Sequence, residues 1–241
     1  VRLASLLVIA LGGAAIAKPQ ARAKPHMPSS RFTNPDEAAT LPAVRYGKLT
    51  QDECEAELTA RHIQFAREPA KGVRQPVRVS SALHGVEFRT NEKDHGTNVH
   101  EITDCRLVLA LDDLAQMLAA HDVVEVRHYS IYRAPEKSWP EGKVASRHNG
   151  ALAIDAARFV KSDGSFLDVL EHFHGHIGAK TCGDGAGPHP VTPEATEIRE
   201  ILCSAVDAHL FNVVLTPNYN RPHRNHFHLE LTENVSWFLV H

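Results

Sequence analysis

The chain has 241 residues, with 26 Lys and Arg against 29 Asp and Glu, a formal net charge of -3 and 43% hydrophobic side chains. That is enough apolar material for one domain with a substantial core. The balanced charge, with no block of like sign after Arg45, argues against a nucleic-acid or anionic-lipid footprint and suits a small or neutral substrate.

Behind Arg2, the residues Leu3, Leu6, Leu7, Val8, Ile9, Ala10 and Leu11 form an apolar run that ends in Ala15-Ile16-Ala17. The small-x-small ending predicts a signal peptide over residues 1–17, cut after Ala17, and hence a periplasmic or secreted product. Gly12, Gly13 and Lys18 stop the run short of the roughly 18 apolar residues of a membrane span. No integral membrane segment is expected after cleavage. Residues 18–45 are rich in Pro, Ala, Lys and Arg with little periodicity, which predicts a flexible lead-in. The folded part is expected over residues 46–241 as a single domain.

Thr50-Gln51-Asp52-Glu53 is a capping box, predicting a helix from Gln51 to about His62. Val77 to Val79 and Val86 to Phe88 flank His84-Gly85 and predict a hairpin. Leu107, Leu111, Leu114 and Leu118 recur at helical spacing behind a cap at Thr103 or Asp104, predicting a core helix. Val123 to Ile131 is rich in branched and aromatic side chains and reads as a strand, followed by another at Ala151 to Ala157. A third helix opens with Thr192 as cap and Pro193 at the first helical position, with Ile198, Ile201, Leu202 and Ala205 as its apolar stripe. Strands at Phe211 to Leu215 and His226 to Leu231 flank a turn through Pro217-Asn218-Tyr219-Asn220. Helices and hairpin-like strands without regular alternation indicate α+β with a mainly antiparallel sheet and helices packed on it.

Cys54, Cys105, Cys182 and Cys203 contain no Cys-x-x-Cys pair, and an oxidising destination predicts two disulfides. Three pairings are possible; Cys54 with Cys105 and Cys182 with Cys203 keep each bridge local.

Ser146-Arg147-His148, with Asp155 seven positions on, and His223-Arg224-Asn225-His226-Phe227-His228 together supply imidazoles and a carboxylate, the donors of a hydrolytic zinc site with one open position. Strand periodicity puts Phe227, Leu229 and Leu231 on one face and His226, His228 and Glu230 on the other. It likewise opposes Asp155 to Leu152 and Ile154. With 17 histidines in the chain, chance His-x-His pairs are expected. His172-Phe173-His174-Gly175-His176 is another such cluster, but only Glu171 stands nearby as a carboxylate and Gly175 and Gly178 make it loop-like. It is read as a solvated loop.

Ser146-Arg147-His148 with Ala153 and Asp155 resembles the Ser-x-His, Ala-x-Asp signature of the zinc peptidases grouped with lysostaphin, D-Ala-D-Ala carboxypeptidases and the hedgehog fold. A closer resemblance is to the extensin-like C-terminal domain. It is carried by Ser130-Ile131-Tyr132-Arg133, Ser146-Arg147-His148, Ala153-Ile154-Asp155, Gly164, and the stretches Phe211 to Asn220 and His223 to Glu230, across Tyr46 to Thr232. The family's usual glycine three positions after the first ligand is here Ala151, with Gly150 before it. The resemblance implies a hedgehog/D-Ala-D-Ala-peptidase-like zinc fold in which His148, Asp155 and His228 hold one Zn2+. It makes His226 the general base or transition-state stabiliser, with His223 beside it and Arg133 contacting substrate or oxyanion. Ser146 and Glu230 are expected to orient the ligands from behind. Asn225 stands where D-Ala-D-Ala peptidases carry a glutamate, so the chain is of the histidine type.

These features point to an exported zinc-dependent hydrolase, a metallopeptidase acting on peptidoglycan or similar cross-linked peptides through a metal-activated water. One alternative is a zinc-containing module that binds cell wall or protein without cleaving it. Another is a non-haem iron enzyme, which also uses two histidines and a carboxylate.

Overall fold

The computed structural model describes residues 35–90 and 96–241; the expected signal peptide and residues 18–34 of the lead-in lie outside the described residues. Helices α1 (Pro35–Thr40) and α2 (Pro42–Tyr46) correct the expected lead-in at its end. The cause is apolar content: Ala43, Val44 and Tyr46 are buried, with α2 packed against a later core helix.

Helix α3 (Gln51–Ala60) starts at the predicted capping box, with both of its reciprocal hydrogen bonds formed. Strands β1 (Phe65–Arg67), β2 (Pro76–Val79), β3 (Glu87–Thr90) and β4 (Thr103–Asp104) follow. The expected hairpin is not formed. Strand β2 pairs antiparallel with β1 and β4 in a three-stranded sheet, whereas β3 joins the large sheet. Only Leu83 and Val86 bridge across His84-Gly85, so the local turn exists but each strand finds a distant partner.

Helix α4 (Cys105–Ala119) is capped by Asp104, which accepts from the Arg106 N–H. It is the predicted core helix, buried on most of its circumference and in contact with α2 and α3. Strand β5 (Val123–His128) ends three residues earlier than expected, and β6 (Ala153–Lys161) runs four residues further. Strand β7 (Phe166–Asp168), the single turn α5 (Val169–His172), helix α6 (Pro193–Asp207, capped by Thr192), and strands β8 (Val213–Leu215), β9 (Phe227–Glu230) and β10 (Leu239–Val240) complete the chain.

The seven-stranded sheet has the order β10-β8-β9-β6-β5-β3, with β7 also on β6. Its outer pairs β10·β8 and β3·β5 are parallel and the rest antiparallel. The architecture is therefore α+β with a mainly antiparallel large sheet. Ile154, Phe159, Phe227 and Leu229 enter the same core as Leu107, Leu118 and Ile198. Disulfides Cys54–Cys105 and Cys182–Cys203 follow the local pairing; the first ties α3 to the start of α4. Among the described residues, no helix is long and apolar enough to cross a membrane.

Candidate metal centre

Strands β6 and β9 lie antiparallel in a register that makes Asp155 and His228 partners. Their neighbours Ile154 and Leu229 face the core, so pleating turns Asp155 and His228 to the opposite face. That face is also buried, as are all four residues of β9. The covering element is a short 3-10 turn, Arg147–Gly150, which delivers His148 just before β6 begins.

This turn is tight. Arg147 and Ala151 both take left-handed backbone conformations, at φ 54 and 53, which side-chain-bearing residues adopt rarely. Ala151 thus forms the turn in a conformation more often taken by glycine. Gly150 supplies a different need, since a Cβ there would sit 2.3 Å from the Ala145 carbonyl oxygen.

Three donor atoms converge. His148 Nε2 lies 3.0 Å from Asp155 Oδ1, His228 Nδ1 lies 3.1 Å from the same oxygen, and the two nitrogens are 3.1 Å apart. These are the three residues that among those described could share a metal ion. Each is held from behind. His148 Nδ1 donates to the Ile131 carbonyl at 3.0 Å, His228 Nε2 donates to Glu230 Oε2 at 3.0 Å, and Arg133 Nη2 donates to Asp155 Oδ2 at 2.9 Å. A carbonyl and a carboxylate only accept, so they fix the tautomers that turn lone pairs of His148 Nε2 and His228 Nδ1 inward.

Two lone pairs and a carboxylate facing one another in a buried space repel unless positive charge sits among them. Burial lowers the pKa of His228, yet hydrogen bonds and charge from Asp155 and Glu230 prevail and raise it. Burial likewise opposes ionisation of Asp155, but His148 and His228 hold its carboxyl well below the usual range. Both shifts arise from the attraction between the buried carboxylates and the imidazoles that face them. The donor set suits zinc, whose bonds of about 2.0–2.2 Å in a tetrahedron would place donors roughly 3.3–3.6 Å apart, slightly wider than the separations here.

The segment Ser130-Ile131-Tyr132-Arg133 frames the centre. The Ser130 carbonyl accepts from Asp155 N at 3.1 Å, and Arg133 N donates to the His148 carbonyl at 3.0 Å. The segment is itself anchored, since Ile131 N donates to the His100 carbonyl at 2.8 Å. Arg133 keeps half of its side chain exposed, so it reaches solvent while touching Asp155.

His226 Nε2 stands 3.4 Å from Asp155 Oδ1, and its Nδ1 donates to Asn225 Oδ1 at 3.1 Å. Asn225 in turn donates to the Tyr129 hydroxyl at 2.8 Å, and the Tyr129 ring meets the His226 ring edge-on, centroids 5.8 Å apart. Burial, reinforced by His228 and His148, lowers the His226 pKa despite the nearby Asp155 charge. His223 sits 5.1 Å from His226 and 5.9 Å from His228, ring to ring. Its Nδ1 donates to Asn220 Oδ1 at 2.7 Å, and burial with its histidine neighbours pushes its pKa down to about 4.

His148, Asp155, His228, His226, His223, Arg133 and Glu230 are therefore together. Ser146 is not among them: it is exposed and its hydroxyl has no hydrogen-bond partner among the described residues, while its carbonyl accepts from Gly150 N. The orienting task expected of it falls to the Ile131 carbonyl. Tyr129 is an addition that sequence reasoning missed, because its place beside Asp155 depends on the β5·β6 register. The His172–His176 cluster forms no ligand set: His172 Nδ1 accepts from Asp168 N and His174 Nδ1 donates to the Pro190 carbonyl.

Fold and centre define an α+β protein with a buried His/Asp metal-type site on the polar face of its large sheet. Residues 52–239 match the family described as extensin-like protein C-terminus, and the chain belongs to that family. Comparison with curated proteins and with solved structures gave no match.

Proposed function

We propose that this chain is an exported zinc-dependent hydrolase of peptide bonds in peptidoglycan or similar cross-linked peptides, built on the fold shared by hedgehog proteins and D-Ala-D-Ala peptidases. The observation that carries the reading is the triangle of His148 Nε2, Asp155 Oδ1 and His228 Nδ1 at 3.0 to 3.1 Å, each residue fixed from behind. Three protein donors leave the fourth position of a tetrahedral site for water or substrate, as catalytic rather than structural zinc sites do. Zinc held by His148, Asp155 and His228 would supply a water activated near neutral pH, with a pKa of about 7.

The surrounding side chains have matching tasks. His226, kept neutral and with its Nδ1 proton held by Asn225, offers the Nε2 lone pair to take a proton from the attacking water. Arg133 has guanidinium nitrogens beyond the one on Asp155, and these can receive negative charge developing on a peptide carbonyl oxygen. His223, also neutral, supports His226 without adding charge. Two disulfides are in keeping with an oxidising compartment.

The test is incubation of purified protein with intact peptidoglycan, with and without a chelator, followed by mass spectrometry of the released peptides. Chelator-sensitive cleavage at a peptide bond, lost in His226→Ala, is the expected result. Retention on sacculi with no metal-dependent product from several wall types would replace hydrolysis by binding alone. Iron in place of zinc on elemental analysis would replace the hydrolase by the oxygenase reading.

A further inference from the structure

A groove of about 350 Å³ is lined in part by Asn220, Arg221 and Arg224, from the turn that precedes β9. Buried Val169 and Phe173 form its floor, and Leu170 and Ile177, 59% and 63% exposed, stand at its edge. Arg221 and Arg224 complete it. Both are exposed, and among the described residues neither has a carboxylate within ion-pair distance.

The groove is preformed. Asn218, 2% exposed, accepts from His176 N at 3.0 Å and donates to Thr181 Oγ1 at 3.2 Å. Gly175 passes so close that a Cβ would lie 2.1 Å from Asn218 Oδ1. The Cys182–Cys203 bridge then anchors the following stretch to α6. Ile177 is thus presented to solvent on a loop tied down on both sides, and exposed apolar groups lining a concavity are a mark of ligand sites.

The groove and the centre share one wall. Asn220 lines the groove and holds His223 Nδ1 at 2.7 Å, while Arg224 precedes Asn225, which holds His226. We infer that the groove binds a peptide segment carrying an apolar side chain near a carboxylate, the first against Leu170 and Ile177 and the second between Arg221 and Arg224. Its service as a substrate subsite rests on the hydrolase reading above. Guanidinium groups that meet no carboxylate among the described residues select the carboxylate, although Arg224 Nη1 also donates to the Arg221 carbonyl at 3.4 Å; the apolar edge selects a peptide over a simple anion.

Isothermal titration of the zinc-loaded protein with N-acetyl-Leu-Ala-Glu-amide and N-acetyl-Leu-Ala-Gln-amide tests this. The acidic peptide should bind about fivefold more tightly, the size expected of two exposed ion pairs. Arg221→Gln with Arg224→Gln should abolish that preference, and Ile177→Ser should weaken both peptides equally, with unchanged circular dichroism and zinc content throughout. Equal binding of the two peptides, a preference that survives the double substitution, or no binding of either overturns the inference. Charge-selective binding together with chelator-insensitive wall peptides would support the groove and sink the hydrolase reading. Metal-dependent cleavage whose KM ignores the double substitution would do the reverse.

Discussion

Asp155 on β6 and His228 on β9 are register partners whose side chains meet at 3.1 Å on the face opposite Ile154 and Leu229. A one-residue slip of either strand would turn its own side chain to the other side of the sheet and separate the pair. The site is thus specified by the same pairing that builds the core.

The carboxylate is the first thing to remove. Asp155→Asn keeps the shape and deletes the charge that both imidazoles face, so the protein should no longer retain zinc through dialysis. Metal analysis of the variant beside the wild type checks this, and equal zinc content would refute it.

Glu230 acts one step further out, through the His228 Nε2 proton at 3.0 Å. Glu230→Gln should lower zinc affinity by about 10- to 100-fold, the usual cost of losing an outer partner, with little change in the far-ultraviolet spectrum. Competition against a chelating dye measures the shift; an unchanged affinity would mean that Glu230 does not orient the ligand.

Gly150 is a steric prediction. A methyl group there meets the backbone carbonyl of Ala145 at 2.3 Å, and backbone must move to admit it. Gly150→Ala should destabilise by about 1–3 kcal/mol and, by displacing His148, weaken zinc binding as well. Denaturant unfolding with and without zinc separates the two effects.

The metal-free protein should also lose stability on acidification. His223 stays neutral in the folded state down to about pH 4, whereas the unfolded chain protonates it near the usual histidine value of about 6.5. Between those values the unfolded state binds more protons, so each step down in pH favours unfolding. In the presence of chelator, the wild type should lose melting temperature from pH 6.5 to pH 4 more steeply than His223→Gln. His228, whose raised pKa acts in the opposite sense, is present in both proteins.

The bridges span 51 and 21 residues. In the chain-entropy model their removal costs about 4 and about 3 kcal/mol. Replacing Cys54 and Cys105 by Ser should therefore lower the urea midpoint more than replacing Cys182 and Cys203.

Features whose signal is local are legible in the amino-acid sequence. The capping box at Thr50, the leucine spacing of α4, and Thr192-Pro193 at the start of α6 each depend on residues within one or two turns. The polar alternation of β9 is legible too, although its polar face is buried beneath the His148 turn. Long-range facts are not. β2 and β3 flank a plausible turn yet pair elsewhere, and no local pattern reveals the parallel partnership of β3 with β5. The apolar residues at the end of the lead-in make helices because α4 covers them. Within the site, histidines and carboxylates announce themselves by type and spacing. The Ile131 carbonyl, a backbone atom, cannot, and Tyr129 is legible only once β5 lies beside β6.

Zinc-edge anomalous diffraction from crystals grown with zinc tests the central claim most directly. One strong peak is predicted, bonded to His148 Nε2, Asp155 Oδ1 and His228 Nδ1. A peak at the His172–His176 cluster instead, or none between β6, β9 and the His148 turn, would contradict it.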